Sequence, residues 1–360
     1  MKKIGIDARL YSQTGVGVYI RNLLFYLQRI EKKDINFYIY LSEDDFKRVN
    51  FINKNFIKRK ADFHWHSLDE QTRFLRLLNQ DNLDLMHFTY FSYPLLYQKK
   101  FISTIHDLTP LLFKTGKAST KNPLIYNFKH LVFKLVLSSQ IKKAAAIITP
   151  SETVKKQIIK YYGSQYQNKI YPTYEGVNWE IIQAKENRNL NKKFNKPFFI
   201  YVGNFYPHKN IERLVEAFSQ IKEDIFLVLV GPDDFFSKRL KQDKRIIMYH
   251  NSSSADLVFF YKNARALIHP SLAEGFGLPL IEAVYFNLPV IASDISVFQE
   301  ILTNHYLSFN PYSVDDIRKK IAFFIKKKPT FDYGQILTRY SFKEMAERTL
   351  GSYRKIISTI

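Results

Sequence analysis

The sequence contains no cysteine, which removes disulfide scaffolds, thiolate zinc centres and cysteine nucleophiles together. No run approaches the roughly 18 uninterrupted apolar residues that a membrane span needs. The opening residues, Met1-Lys2-Lys3-Ile4-Gly5-Ile6-Asp7, lack the long apolar segment of a secretory signal. These absences predict a soluble, cytoplasmic protein. Acids are scarce: 33 Asp and Glu face 54 Lys and Arg, a formal charge of +21. Such an excess attracts nucleic acid, an anionic membrane or a phosphorylated substrate, but lysines spread over the whole length fit a generally lysine-rich composition equally well. No zinc-finger, helix-turn-helix or aromatic RNA-binding signature accompanies the charge, so nucleic acid is not expected as a partner. What is plentiful is core material. With 46% hydrophobic and 16% aromatic residues, 360 residues suffice for about two well-packed domains.

The apolar pattern alternates strand, loop and helix twice. In the first half, residues 3–8, 36–41, 83–88, 101–107 and 144–150 read as buried strands. A glycine loop with Gly15 and Gly17 leads into a helix from 18 to 30, the opening unit of a doubly wound fold. A strongly apolar helix, punctuated by Lys129 and Lys134, spans 123–137. Ser151 is placed to cap the helix that follows residue 150. A basic and aromatic stretch between Lys47 and Trp65 reads as a solvated face, or alternatively as a surface for anionic lipid. The polar segment 183–196 is the linker candidate. Strands at 198–203, 225–230, 246–249, 266–270 and 290–293 follow it, with helices at 211–221, 256–263, 314–326 and 341–357. The expected architecture is α/β: residues 1–182 and 183–340 as two doubly wound domains with parallel sheets, and 341–360 as a terminal helix.

One stretch concentrates the chemistry. After the apolar residues 266–270, Gly275 and Gly277 form a turn, and Pro279 suits the first position of a helix. Strand, glycine loop and helix N-terminus make an anion site of free N–H groups and positive dipole. Glu274 and Glu282 bracket it, which suggests a ligand carrying phosphate and hydroxyl groups, such as a nucleotide sugar. Lys209, after a strand and before a helix, is placed to meet a diphosphate. His106, beside Asp107 at a strand's carboxyl end, lies where parallel sheets bind ligands. Asp233-Asp234 reads as a polar turn, and no cluster shows metal-ligand spacing, so no metal is expected.

Glu274 and Glu282 enclose seven residues within Glu-Gly-Phe-Gly-Leu-Pro-Leu-Ile-Glu-Ala. This resembles the Glu-x7-Glu motif of the retaining glycosyltransferases of family 4, which have the GT-B fold. The resemblance extends over the Gly15/Gly17 loop, residues 104–110, 149–152, 201–203, 208–210 and 309–311. It implies two Rossmann-like domains facing across a cleft, the first binding acceptor and the second nucleotide sugar. Position by position, it implies that Glu274 contacts donor-sugar hydroxyls, that Glu282 holds the ribose, and that the Gly275, Phe276, Gly277 and Leu278 backbone cradles the β-phosphate. It gives Lys209 the diphosphate, His106 the sugar's primary alcohol, and Gly15 and Gly17 the loop bordering the donor phosphates. Gly203 ends the Tyr-Val-Gly strand at the donor site. The arginine usual just after that glycine is replaced by Asn204, which leaves one cation of the diphosphate pair unassigned, with Arg213 and Arg9 as distant candidates. The resemblance is nearest to bacterial lipopolysaccharide O-antigen mannosyltransferases. GDP-mannose is thus the first expected co-substrate and UDP-hexoses the second, with no other cofactor. A glycan or lipid-linked acceptor at the cytoplasmic face of the inner membrane would suit a peripheral enzyme. Two other classes stay open on residues alone: a non-catalytic polyanion-binding protein, and a nucleotide-sugar epimerase of the same architecture.

Overall fold

The computed structural model describes residues 1–30, 34–113, 123–241 and 243–358, with the side chains of 123–126, 128 and 129 excepted. Lys129 and residues 359–360, named above, lie outside that set. The chain divides into two compact units, Met1–Glu175 with Phe342–Ile360, and Gly176–Ser341.

In the first unit, β1 (Lys2–Asp7), α1 (Val16–Ile30), β2 (Ile35–Leu41), α2 (Glu43–Arg48) and β3 (Phe56–Lys60) are followed by α3 (Leu75–Asp81), β4 (Leu85–Phe88), β5 (Phe101–Thr104) and α4 (Thr109–Leu112). Then come α5 (Pro123–Lys143), β6 (Ala146–Thr149), α6 (Glu152–Tyr162) and β7 (Ile170–Pro172). All pairings are parallel, in the order β3-β2-β1-β4-β5-β6-β7. Strands covered on both faces are largely apolar, and β4 and β6 are buried at every residue, the polar His87 and Thr149 included. Ser151 accepts from the Val154 N–H and caps α6, as expected.

The second unit runs α7 (Trp179–Gln183), β8 (Phe198–Val202), α8 (Ile211–Ser219), β9 (Phe226–Val230), β10 (Ile246–Tyr249), α9 (Ser254–Asn263) and β11 (Leu267–His269). It continues through α10 (Leu278–Tyr285), β12 (Val290–Ser293), α11 (Ser296–Leu302), β13 (Leu307–Phe309), α12 (Val314–Lys327) and α13 (Gly334–Arg339). Its parallel sheet has the order β10-β9-β8-β11-β12-β13. Helix α8 buries Ile211, Leu214, Val215 and Phe218, at helical spacing, in the core around Phe199 and Ile268. Each such side chain stabilises the unit by about 1.5–3 kcal/mol. The final helix, α14 (Phe342–Ile357), packs on α1 and belongs to the first unit.

Both sheets reverse winding direction once, at β1/β4 and at β8/β11. Crevices for ligands open at the carboxyl ends of such strand pairs. Two stretches carry more structure than their sequence suggests. The stretch from Lys47 is a largely exposed face that also ends α2 and supplies the edge strand β3, and five of its cations are paired or hydrogen-bonded. Lys47 and Lys60 pair with Glu43, Arg48 with Asp45, Arg59 with Asp81, and Lys58 donates to the carbonyls of Phe46 and Val49. The polar segment after Gln183 is also docked. Asn187 donates to Asp256 Oδ1, and Asn263 to Glu186 Oε1, which ties the segment to α9. No described helix is long and apolar enough to cross a membrane.

Candidate functional site

Lys209 follows β8 and Glu274 follows β11, the two strands that flank the reversal point of the second sheet. The loops carrying them are pinned together. The Leu272 N–H donates to the His208 carbonyl, and the Asn210 amide donates to the carbonyls of Pro270 and Pro311. Asn210 adopts a left-handed conformation (φ 61°), which turns the chain from the short helical turn Pro207–Lys209 into α8 and aims Lys209 back across the strand ends.

Three donors converge on one oxygen. Glu274 Oε1 lies 2.6 Å from Lys209 Nζ, 3.0 Å from His269 Nε2 and 2.7 Å from Ser271 Oγ. The Glu274 and Lys209 side chains are 11% and 14% exposed, so this is a nearly buried ion pair with a narrow opening. Burial opposes ionisation of Glu274, but the Lys209 ammonium and the His269 hydrogen bond outweigh it and hold the carboxyl well below the usual carboxylate range. Burial pushes His269 the other way, towards the neutral imidazole, against the pull of Glu274. A carboxylate can only accept, so the neutral ring places its proton on Nε2. The ring is held between Tyr201, stacked at 5.4 Å, and the edge of Phe298 at 5.6 Å. Among the described residues, no hydrogen bond reaches Glu274 Oε2. That oxygen keeps its capacity to accept.

Gly277 is the N-cap of α10, with φ 101°, a conformation that side chains rarely adopt; a Cβ here would also lie 3.0 Å from Phe298. Pro279 stands second in the helix, after Leu278, rather than first. The N–H groups of Phe276, Gly277 and Leu278 make no hydrogen bond among the described residues. With the helix dipole, they give the head of α10 the donor geometry that an anion site needs. The Phe276 side chain takes no part: it is buried edge-on against Tyr340.

Glu282, one turn further along α10, is separate from this cluster. It is buried and accepts from the Tyr261 hydroxyl at 2.7 Å. Burial pushes its pKa up to about 7, the hydroxyl bond pulls down, and the Glu180 charge adds to the rise. Gly203 (φ 150°) directly follows β8, and the Asn204 carbonyl accepts from the Tyr201 hydroxyl. Arg213 is tied to Asn210 Oδ1 at 2.7 Å. Asp234 caps the turn at Phe236 and Ser237, the polar-turn reading. No group of three or more metal-ligating side chains stands together among the described residues.

The first unit holds the remaining candidates. Gly15 has φ 62°, and a Cβ at Gly17 would lie 2.7 Å from the Tyr11 carbonyl oxygen, so both glycines are required by the turn into α1. His106, just past β5, donates from Nε2 to the Thr89 carbonyl at 2.9 Å and lies 3.6 Å from Glu175 through Nδ1. The ring packs edge-on against Tyr19 of α1 at 4.8 Å. Arg9 is locked between Asp7 and Glu70, all three buried. His269 and Ser271 bond Glu274, and Tyr261 bonds Glu282; no motif in the sequence marks these three. The strand-end argument that singled out His106 applies equally to His269, whose apolar flanks led it to be read as strand alone.

Comparison with known proteins matches both halves. Residues 13–180 match the family described as Glycosyltransferase Family 4, and residues 182–342 match Glycosyl transferases group 1. The O-antigen chain mannosyltransferase RfbU of Salmonella typhimurium is 34% identical over 225 residues, 59% of this chain and 61% of RfbU. The chain thus spans about three fifths of that relative's length. Among solved structures, the sucrose-phosphate synthase of Thermosynechococcus elongatus superposes with a TM-score of 0.78 at 17% identity, over 100% of both chains. Anabaena Alr3699/HepE in complex with UDP and glucose gives 0.73 at 14% identity, over 99% of this chain and 100% of that one. Two consecutive family matches, running from residue 13 to 342 over two doubly wound parallel sheets of the GT-B fold, make the chain a member of the family 4 glycosyltransferases.

Proposed function

We propose that the protein transfers a hexose from a nucleotide sugar to a growing surface glycan, with mannose from GDP-mannose as the first donor and retention of anomeric configuration. The observation that carries this reading is the gathering of Lys209, His269 and Ser271 on a single oxygen of Glu274 at the head of α10. That arrangement leaves one carboxylate oxygen for a sugar hydroxyl beside a cation and a row of N–H donors for phosphate. The similarity to RfbU supports mannose and a lipopolysaccharide-type glycan acceptor, which we take to be lipid-linked and reached from the cytoplasmic face of the inner membrane.

In the proposed reaction the bond between the anomeric carbon and the β-phosphate oxygen breaks. The charge developing on the diphosphate falls on Lys209 and the N–H groups of residues 276–278. The acceptor oxygen bonds the anomeric carbon on the same face, and its proton passes to the departing phosphate. Lys209 and the cradle supply the positive charge, so no metal has a role. The reading is tested by thermal shift with GDP, UDP and the corresponding nucleotide sugars. One nucleoside diphosphate should raise Tm, by about 2.7 kcal/mol of stabilisation at a hundredfold excess over Kd. A panel without any shift at saturation counts against a donor site and favours the polyanion-binding alternative. A UDP-selective shift moves the donor to a UDP-hexose.

Glu282 is assigned to the ribose hydroxyls. These donate best to the ionised carboxylate, so binding should tighten as pH rises through about 7. Between about pH 6 and pH 8 the affinity should rise about tenfold. The folded-state value lies above the ordinary one. Stability from the protonated form is therefore complete below the ordinary carboxyl pKa and is lost as pH rises through about 7. Titration by calorimetry should show that Glu282→Gln flattens the pH profile of binding. The phosphate ionisation common to both proteins serves as the internal control, and equal profiles would remove Glu282 from the ribose.

A further inference from the structure

We propose that the second unit carries a second carbohydrate site, separate from the Glu274 cluster, that takes a neutral hexose-sized saccharide. A cavity of about 510 Å3 opens between α11 and the edge strand β13, lined by Asp294, Gln299, Thr303, Asn304, Tyr306 and Ser308. Its size falls within the range of small-ligand sites. The lining comprises one carboxylate, two carboxamides and three hydroxyls. No cation is among them, so the site does not suit a phosphate or a nucleotide. No aliphatic side chain is among them either, so it does not suit a lipid tail. Gln299 Nε2 and the Thr303 hydroxyl bond within the protein, and the remaining donors and acceptors of the lining match the hydroxyls of a sugar ring.

Tyr306 carries the argument further. Its side chain is 8% exposed, and its hydroxyl is buried with no hydrogen-bond partner among the described residues. Buried hydroxyls are almost always satisfied, so this one is a donor held for something else. Asp294 stands near enough for its charge to act on the phenol, and Gln299 Nε2 fixes Asp294 Oδ1 at 2.6 Å. Among the described residues, no hydrogen bond reaches the second oxygen of Asp294. Thr303, which closes α11, has φ 53°, a conformation β-branched residues avoid. The cavity uses a different part of α11 from the donor cluster: Phe298 packs against His269, whereas Gln299 and Thr303, one turn apart, line the cavity. The proposal does not depend on the identity of the donor.

The test is saturation-transfer NMR on the full chain with methyl α-mannoside, methyl α-glucoside and methyl α-galactoside, each in the presence of saturating GDP or UDP. At least one hexoside should receive saturation. Tyr306→Phe and Asp294→Asn should each weaken its binding about tenfold, while any nucleotide-induced Tm shift is retained. Because the Tyr306 hydroxyl has no partner among the described residues, Tyr306→Phe should not lower Tm, which separates lost binding from lost folding. The proposal is overturned if no hexoside receives saturation, or if transfer persists unchanged in both variants. It is also overturned if magnesium or calcium raises Tm through Asp294 while no saccharide signal appears. Saturation transfer and nucleotide shift report different ligands, so failure here is distinct from failure of the donor reading.

Discussion

Glu274→Gln is expected to lower kcat for sugar transfer by about a thousandfold, with the fold retained. The substitution keeps an oxygen where Lys209, Ser271 and His269 converge but removes the charge and offers an amide where Oε2 would accept a sugar hydroxyl. Glu274→Ala is expected to behave differently. It strands the Lys209 ammonium, 14% exposed, together with two further donors. Breaking a buried pair by removing one partner costs about 3–5 kcal/mol. For a unit of this size that lowers Tm by on the order of 10 °C. Adding Lys209→Met to Glu274→Ala should restore much of that Tm, because no uncompensated charge remains, and none of the activity. Calorimetry and a transfer assay on the three variants separate the two roles of Glu274. Wild-type-like turnover in Glu274→Gln would sink the assignment of Glu274 to the donor sugar.

The elements that sequence disclosed are those whose physics is local. Strands β8 and β9 are apolar throughout because a parallel sheet covered on both faces offers no polar side. The α10 turn was legible because Gly277 needs a left-handed backbone and Pro279 tolerates a first helical turn. What escaped is what depends on neighbours. β3 reads as part of a solvated basic face because it is an edge strand, where charges are favoured and their partners lie elsewhere in the chain. β13 has three residues, too few for a pattern. The segment after Gln183 looks like a linker because its polar groups serve α9. In the candidate site, Glu274 and Lys209 stand out in the sequence by type and position and the fold brings them together, whereas Glu282 stands apart on Tyr261. The ring of donors was not: the bonds from His269 and Ser271 to Glu274 are set by how β11 ends.

Lys209→Met is expected to reduce kcat about a hundredfold or more and to abolish most of the preference for nucleoside diphosphate over monophosphate. The expectation rests on the cations available. Asn204 occupies the position where relatives of the resembled family carry arginine. Arg213 is held by Asn210 Oδ1, and Arg9 is held by Asp7 and Glu70 within the first unit. Among the described residues, Lys209 is therefore the cation held at Glu274, four residues before α10 begins. In the structure its ammonium rests on Glu274, so diphosphate must draw it away or share it. A diphosphate carries more than one negative charge and competes well for the ammonium in so buried a setting. The moment it does, Glu274 loses part of what holds its carboxyl low and becomes a stronger hydrogen-bond acceptor for the sugar. Diphosphate binding and sugar binding are then coupled through one side chain. Calorimetry with GDP against GMP, and UDP against UMP, measures the β-phosphate increment directly. It should shrink at least about tenfold in Lys209→Met. Lys209→Arg should recover only part of it, because a planar guanidinium cannot occupy the point contact an ammonium makes at 2.6 Å from Glu274. An undiminished increment in Lys209→Met would mean that the N–H groups of residues 276–278 hold the β-phosphate without a cation.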